Sequence, residues 1–388
     1  MRRVFSKMDK PLLFVTIAFF LFGLVMVLSA SSMESYMRYG YGPYHYFYRQ
    51  AIFLILGLII FFLIIRIPTK MYTFFSYIFM IGIIVVLGVL LAYGYVANSA
   101  QSWFKIGSIS IQPSEFAKVI SIMFLGCYYG KHRDSLHDLK ILIWPLILVV
   151  IIFGMVLVQP DLGTALIIGL IAMFMFFAIP MPKKILNKFK FLVIGFVVLI
   201  GLIYFGTGGK ILKDYQKDRF NFSDPCERYQ DDSGYQLCNS FIAFKNGGLT
   251  GQGIGKSTQK YLYLPESYTD FIFPIIVEEW GALVGILIVL IYSFIIYRLY
   301  RIARRASNLQ SSLIGYGICI YLFLHVAVNL AGVMGLMPLT GVPLPFLSYG
   351  GSYVISLMIA LGVAQRIAIE GNEKLKKKVK SVRRENVV

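Results

Sequence analysis

The sequence predicts an all-α polytopic membrane protein, and three observations carry that prediction. Hydrophobic residues make up 58% of the 388 and charged residues only 14%, well under the rough quarter usual in soluble domains. Mean hydropathy is +0.72, and apolar runs long enough to cross a bilayer recur along the whole chain. Basic residues gather between alternate runs instead of spreading evenly.

Ten transmembrane helices are expected, near 11–30, 49–66, 72–94, 113–130, 141–158, 162–180, 189–207, 270–297, 311–337 and 346–367. The first follows a basic start but is too long for the apolar part of a secretory signal, and further spans follow it, so it reads as an anchor. Lys and Arg cluster in residues 1–10, in the loops at 131–140, 183–190 and 298–305, and from Lys374 to Arg384. With ten spans and both termini cytoplasmic, all of these groups fall inside, as the positive-inside rule requires. The short outward loops at 31–48, 95–111, 159–161 and 338–345 carry only Arg38 and Lys105. The net charge of +18 therefore reports topology, with anionic lipid headgroups as the counter-charge, and not a nucleic-acid surface. The domain plan is a cytoplasmic N-terminus (1–10), a membrane domain (11–370) and a basic cytoplasmic tail (371–388).

One polar stretch interrupts the pattern. Residues 208–269 form a long extracytoplasmic loop between helices 7 and 8, too poor in apolar residues for a core of its own. Its aromatics predict short amphipathic helices lying on the bilayer surface. Cys226 and Cys238 share this loop and either pair in a disulfide or remain two thiols; Cys127 and Cys319 fall in predicted helices as small core residues. The segment GGLTGQGIGKST (247–258) resembles a phosphate-binding loop but has Thr250 where that pattern needs Gly. It reads instead as a glycine hinge.

The chemistry-bearing residues are few. Between Lys260 and Arg298 the chain carries four acids and no base, among them Asp270, Glu278 and Glu279 at or inside a predicted span, where an ionised carboxylate is costly. Asp270 or Thr269 could cap the helix, but capping leaves Glu278 and Glu279 unexplained. On a helix those two point about 80° and 180° away from Asp270, so the three form no single cluster. Glu115 and Lys118 share one face of the fourth helix, either as a packing ion pair or as a functional site. Asp161 in QPDLGTA stands where it can cap the sixth helix, and Trp103 sits in an outer loop. The stretch MGLMPLTGVPLPFLSYGGS (334–352), rich in Pro and Gly, reads as broken backbone lining a cavity or as an ordinary outer loop with tight turns.

These motifs together, QPSEFAK, QPDLGTALII, PESYTDFIFPIIVEEWG and MPLTGVPLPFLSYGGS, resemble the SEDS family (shape, elongation, division and sporulation) over nearly the whole chain. Within that family the wording of helix one and of YLPE–TDFIF looks more like its FtsW branch than its RodA branch. The resemblance implies a multi-pass enzyme of the bacterial inner membrane that polymerises lipid II into glycan strands. It places Asp270 at the family's essential acid, Trp103 at its functional Trp, and Glu115 with Lys118 at the polar pair of its central cavity. The chain departs from the family at Tyr268, where His is usual, at Gln101 and Ser102, where bases are common, and at Asn239, where Gln is usual.

A lipid diphosphate leaving group needs charge neutralisation and no proton, so one general base is enough for the transfer. Asp270 is expected to be that base. Neutralisation is assigned to a divalent cation (Mg2+ or Mn2+, site unidentified) or to Lys118, Arg219 and Lys260. Implied partners are lipid II, a class B penicillin-binding protein, other division proteins and membrane lipids. The rival classes are a lipid II flippase, an elongation polymerase of the RodA kind, and a scaffold.

Overall fold

Long helices stacked side by side place their most polar members at the centre of the molecule. The computed structural model describes residues 5–97, 100–107, 109–206, 224–229 and 232–385. Within them lie eleven α-helices and a three-stranded sheet. The first is α1 (Lys10–Tyr39), which starts behind Asp9, whose side chain accepts from the Leu12 N–H, and ends on Gly40 in the left-handed region. There follow α2 (His45–Ile64), α3 (Thr69–Tyr93), α4 (Pro113–Lys131), α5 (Leu139–Val158), α6 (Leu162–Phe177) and α7 (Lys183–Gly206). The second half holds α8 (Asp232–Gly247), α9 (Ile272–Arg304), α10 (Leu309–Val333) and α11 (Gly351–Glu385).

Seven of the described helices, α1, α2, α3, α5, α9, α10 and α11, are long and apolar enough to cross a membrane. This chain is therefore a helical, multi-pass membrane protein. In their most apolar windows, α10 is 78% and α11 83% buried inside the protein, against 17% for α2. That contrast puts α10 and α11 at the centre and α2 at the lipid-facing rim. The fourth helix, α4, is buried along nearly its whole length and packs against α10 and α3. Its Glu115 and Lys118 are thereby shut away from lipid.

Residues 95–111 hold a short sheet: β1 (Tyr95–Ala97), β2 (Ala100–Ile106) and β3 (Ile109–Ile111) are antiparallel in that order. Phe104 pairs with Ile111 and Ile106 with Ile109, and Gly107 turns between them at φ 61°. The helix expected to lie on the bilayer surface is α8, and it packs on α9 instead. Ser240 Oγ donates to the Val333 carbonyl at 2.8 Å, and Leu237, Cys238 and Ala243 are buried. Cys226 and Cys238 form a disulfide that ties the preceding segment to α8.

α9 is broken at Gly281, whose φ of 85° and ψ of 167° no L side chain adopts readily. The break frees backbone groups, and the glycine-rich segment takes them up. Gln252 and Gly253 N–H donate to the Glu278 and Glu279 carbonyls at 3.0 Å, and Ala282 and Leu283 N–H donate to Gly248 and Leu249. A Cβ on Gly281 would meet the Leu249 carbonyl at 2.3 Å. So residues 247–253 are docked backbone, not a free hinge.

Candidate functional site

Asp270 lies one residue before the N-cap of α9, which is Phe271, and that helix start has no side-chain cap. Capping therefore does not account for Asp270. Its carboxylate is half-buried, beside Glu266 and against the turn at Gly341 (φ 65°). Thr269 Oγ1 stands 2.7 Å from Glu266 Oε2 and 3.1 Å from Asp270 Oδ1, between the two carboxylates. Burial, and then the Glu266 charge, push the Asp270 carboxyl up to about 7. A carboxylate poised there is half ionised at neutral pH and suited to take a proton.

The backbone around Asp270 is held from three sides. Asn329 of α10 donates to the Asp270 carbonyl at 2.7 Å and to the Val342 carbonyl at 2.8 Å. Ser348 Oγ donates to the Thr269 carbonyl and accepts from Leu344 N–H, while Tyr349 N–H donates to the Tyr268 carbonyl at 2.8 Å. Gln50 of α2 donates from Nε2 to the Ser348 carbonyl and accepts Gly350 N–H on Oε1. The segment between α10 and α11 is therefore the irregular, buried backbone that its Pro and Gly content foreshadows, with Leu344, Phe346 and Leu347 inside the protein. Tyr268 stacks into a cluster with Tyr46 and Tyr349.

Glu115 and Lys118 join the site indirectly. Lys118 Nζ is 2.9 Å from Glu115 Oε1 and 3.1 Å from His325 Nε2. The other ring nitrogen of His325 lies 3.4 Å from the Pro343 carbonyl. With Lys118 donating to Nε2, the Nδ1–H points at that carbonyl, so the pair props the segment that packs beside Asp270. Asp161 caps α6 through Thr164 N–H at 3.1 Å, as expected, and also accepts from Gln112 Nε2 at 2.8 Å. Gly163 in the next turn lies so close to that segment that a Cβ would meet the Thr340 carbonyl at 2.3 Å. Trp103 is half-buried in β2 opposite Tyr95, and its neighbour Ser102 donates to the Gln159 carbonyl at 3.1 Å.

The remaining expected site residues are not gathered at Asp270. Glu278 accepts from Asn246, Ser257, Thr258 and the Gln259 N–H. Glu279 accepts from Ser29 Oγ at 2.7 Å and from Lys260 Nζ at 2.8 Å. These acids bond back to residues 246–260, away from Asp270. Lys260 is buried against Glu279, Ser29 and the Gly255 carbonyl, which replaces the expected diphosphate contact with a structural one. Arg219 lies outside the described residues. Sequence reasoning passed over Glu266, Gln50, Asn329, His325 and Ser348. Glu266 alone left a signal, as an acid four residues before Asp270.

Comparison with known proteins places the whole arrangement. The family model described as "Cell cycle protein" (FTSW_RODA_SPOVE) matches residues 10–373. The chain belongs to the FtsW/RodA/SpoVE family. A relative from Bacillus subtilis (strain 168), described as "Probable peptidoglycan glycosyltransferase FtsW", is 36% identical over 384 residues, 97% of this chain and 95% of its own length. One from Coxiella burnetii with the same description is 36% identical over 93% of this chain and 96% of its own. Among solved structures, a chain from work described as "Structural coordination of polymerization and crosslinking by a peptidoglycan synthase complex" superposes with TM-score 0.73 at 25% identity. It spans 94% of this chain and 98% of its own. A mutant of the rod shape determining protein RodA of Thermus thermophilus superposes with TM-score 0.65 at 26% identity, over 93% of this chain and 97% of that one. In this FtsW/RodA/SpoVE chain the likeness runs through α1 to α11, so the site above sits on the family's own frame.

Proposed function

We propose that this chain is a peptidoglycan glycosyltransferase that polymerises lipid II during cell division, with Asp270 as general base. The observation that carries the reading is the half-buried Asp270 carboxylate, pushed up to about 7 beside Glu266 and held just before the broken helix α9. Asp270 takes the proton of the acceptor GlcNAc 4-hydroxyl as that oxygen bonds to the donor MurNAc anomeric carbon. The bond from that carbon to the diphosphate oxygen breaks, and undecaprenyl diphosphate leaves as an anion. Single displacement turns an α-linked donor into a β-1,4 bond. The names of the relatives at 36% identity support both the activity and the division branch.

Charge on the leaving diphosphate has to be offset. Among the described residues, no group of three or more His, Cys, Asp or Glu could hold a metal ion. Mg2+ asks for less, since one or two carboxylates, waters and substrate phosphates complete its shell. Mg2+ or Mn2+ carried by the substrate phosphates and waters would neutralise that charge.

In this reading all ten long helices other than α8 span the bacterial cytoplasmic membrane. Both termini are then cytoplasmic, and residues 208–269 face outward, which puts Asp270 where the sugars of lipid II lie. The partner is a class B penicillin-binding protein that crosslinks the new strand; the match to a chain from a complex coordinating polymerization and crosslinking supports it.

The test is a gel of glycan products made by the purified chain with its partner and labelled lipid II. Asp270→Asn, folded and still binding lipid II, is expected to make no ladder. A full ladder from that variant sinks the assignment, and lipid movement across the bilayer without any ladder from the natural chain would point to a flippase.

A further inference from the structure

An apolar groove of about 290 Å³ opens between α5, α6 and the first turns of α7. Val149, Val150, Phe153, Ala172, Phe176 and Phe189 are among the residues that line it. Its α6 lining runs from Gly169 to Phe177, so the groove begins roughly 9 Å along the axis beyond Gly163 and extends away from the Asp270 segment. The ring of Phe189 meets that of Phe176 at 4.7 Å and closes one wall. Four lysines surround this wall in the chain: Lys183, Lys184, Lys188 and Lys190, all exposed. Between Asp161 and Asp214 the sequence has no acid at all.

We propose that this groove holds one acyl chain of an anionic phospholipid whose headgroup is attracted by the cluster Lys183, Lys184, Lys188 and Lys190. Apolar walls keep water out: an apolar cavity of about 150 Å³ stays dry and admits a benzene ring. Roughly twice that volume in a lipid-facing position takes a run of methylenes. The lysines decide which molecule supplies them. A membrane helix from another protein carries its own basic flank on the same side of the bilayer, and the four lysines repel it. A negatively charged headgroup is attracted by the same cluster.

The test is native mass spectrometry of the full purified chain, offered phosphatidylglycerol or phosphatidylcholine with identical acyl chains. Preferential retention of a single phosphatidylglycerol is expected. Lys188→Gln together with Lys190→Gln should weaken that retention by roughly fivefold per lysine. Ala172→Phe, which fills the groove and leaves every lysine in place, should remove the bound lipid while the melting temperature of the protein holds. Equal retention of the two lipids overturns the proposal. So does an undiminished phosphatidylglycerol signal in the double lysine variant, whose exposed substitutions leave the fold intact even if Ala172→Phe does not.

Discussion

Asn329 on α10 donates both amide hydrogens of one nitrogen, to the Asp270 carbonyl at 2.7 Å and to the Val342 carbonyl at 2.8 Å. One buried side chain thus fixes the spacing between Asp270 and the broken backbone that faces it. Asn329→Ala leaves two carbonyls without a donor. A loss of about 1–3 kcal/mol in stability is expected, with a fall of about a hundredfold in turnover as Asp270 drifts. Binding of lipid II should change far less. Turnover and affinity measured on the same preparation separate the two.

With Asp270 as the proposed base, its ionisation predicts the pH response. A base acts in its charged form, so polymerisation is expected to rise with pH through about 7 and then level off. Because folding raises this carboxyl, it adds stability below about 4 that is lost as pH rises through 7. Activity therefore appears as that contribution fades. Glu266 is the second cause of the raised value, after burial. Glu266→Gln should move the midpoint of the rate profile to lower pH, and an unmoved midpoint removes Glu266 from this role.

Lys260 and Glu279 form an ion pair with almost no solvent contact on either side. Breaking one half of such a pair strands a buried charge. Lys260→Met is expected to destabilise the protein by about 3–5 kcal/mol, read as a lower melting temperature in detergent. Adding Glu279→Gln should restore much of the loss. Lipid II turnover at a temperature where both variants are folded should stay near that of the natural chain.

Gly281 is the point where α9 breaks and residues 247–253 dock. Gly281→Val places a branched side chain at a φ of 85° and against the Leu249 carbonyl. Amide exchange should then speed up at Gln252, Gly253, Ala282 and Leu283 together, since they share the docking bonds.

The Cys226–Cys238 bond closes a short loop onto α8. Reduction is expected to cost about 3 kcal/mol locally, seen as faster proteolysis near residue 229.

Much was legible in the linear chain. Hydropathy and the spread of Lys and Arg placed each long helix, because a span in lipid must be apolar and continuous, but not its ends: α1 runs on to Tyr39 and α11 to Glu385, well past the apolar runs. Asp161 was readable as a cap from its place before an apolar run, and Asp270 from the cost of an acid at membrane depth. The sheet at 95–111 was not, since its strands are short and weakly alternating. The break at Gly281 was hidden too, because a lone glycine inside an apolar run looks like ordinary helix.

The sequence by itself determined that this is a helical membrane protein, which family it resembles, and that Asp270 is the acid to explain. Tertiary structure alone decided what each acid meets. Glu266 came to stand beside Asp270, while Glu278 and Glu279 anchor residues 246–260. Residue identity fixes which groups can ionise or bond. Which of them meet depends on where a helix breaks and what packs into the gap, and here residues about thirty positions apart in the chain settle that.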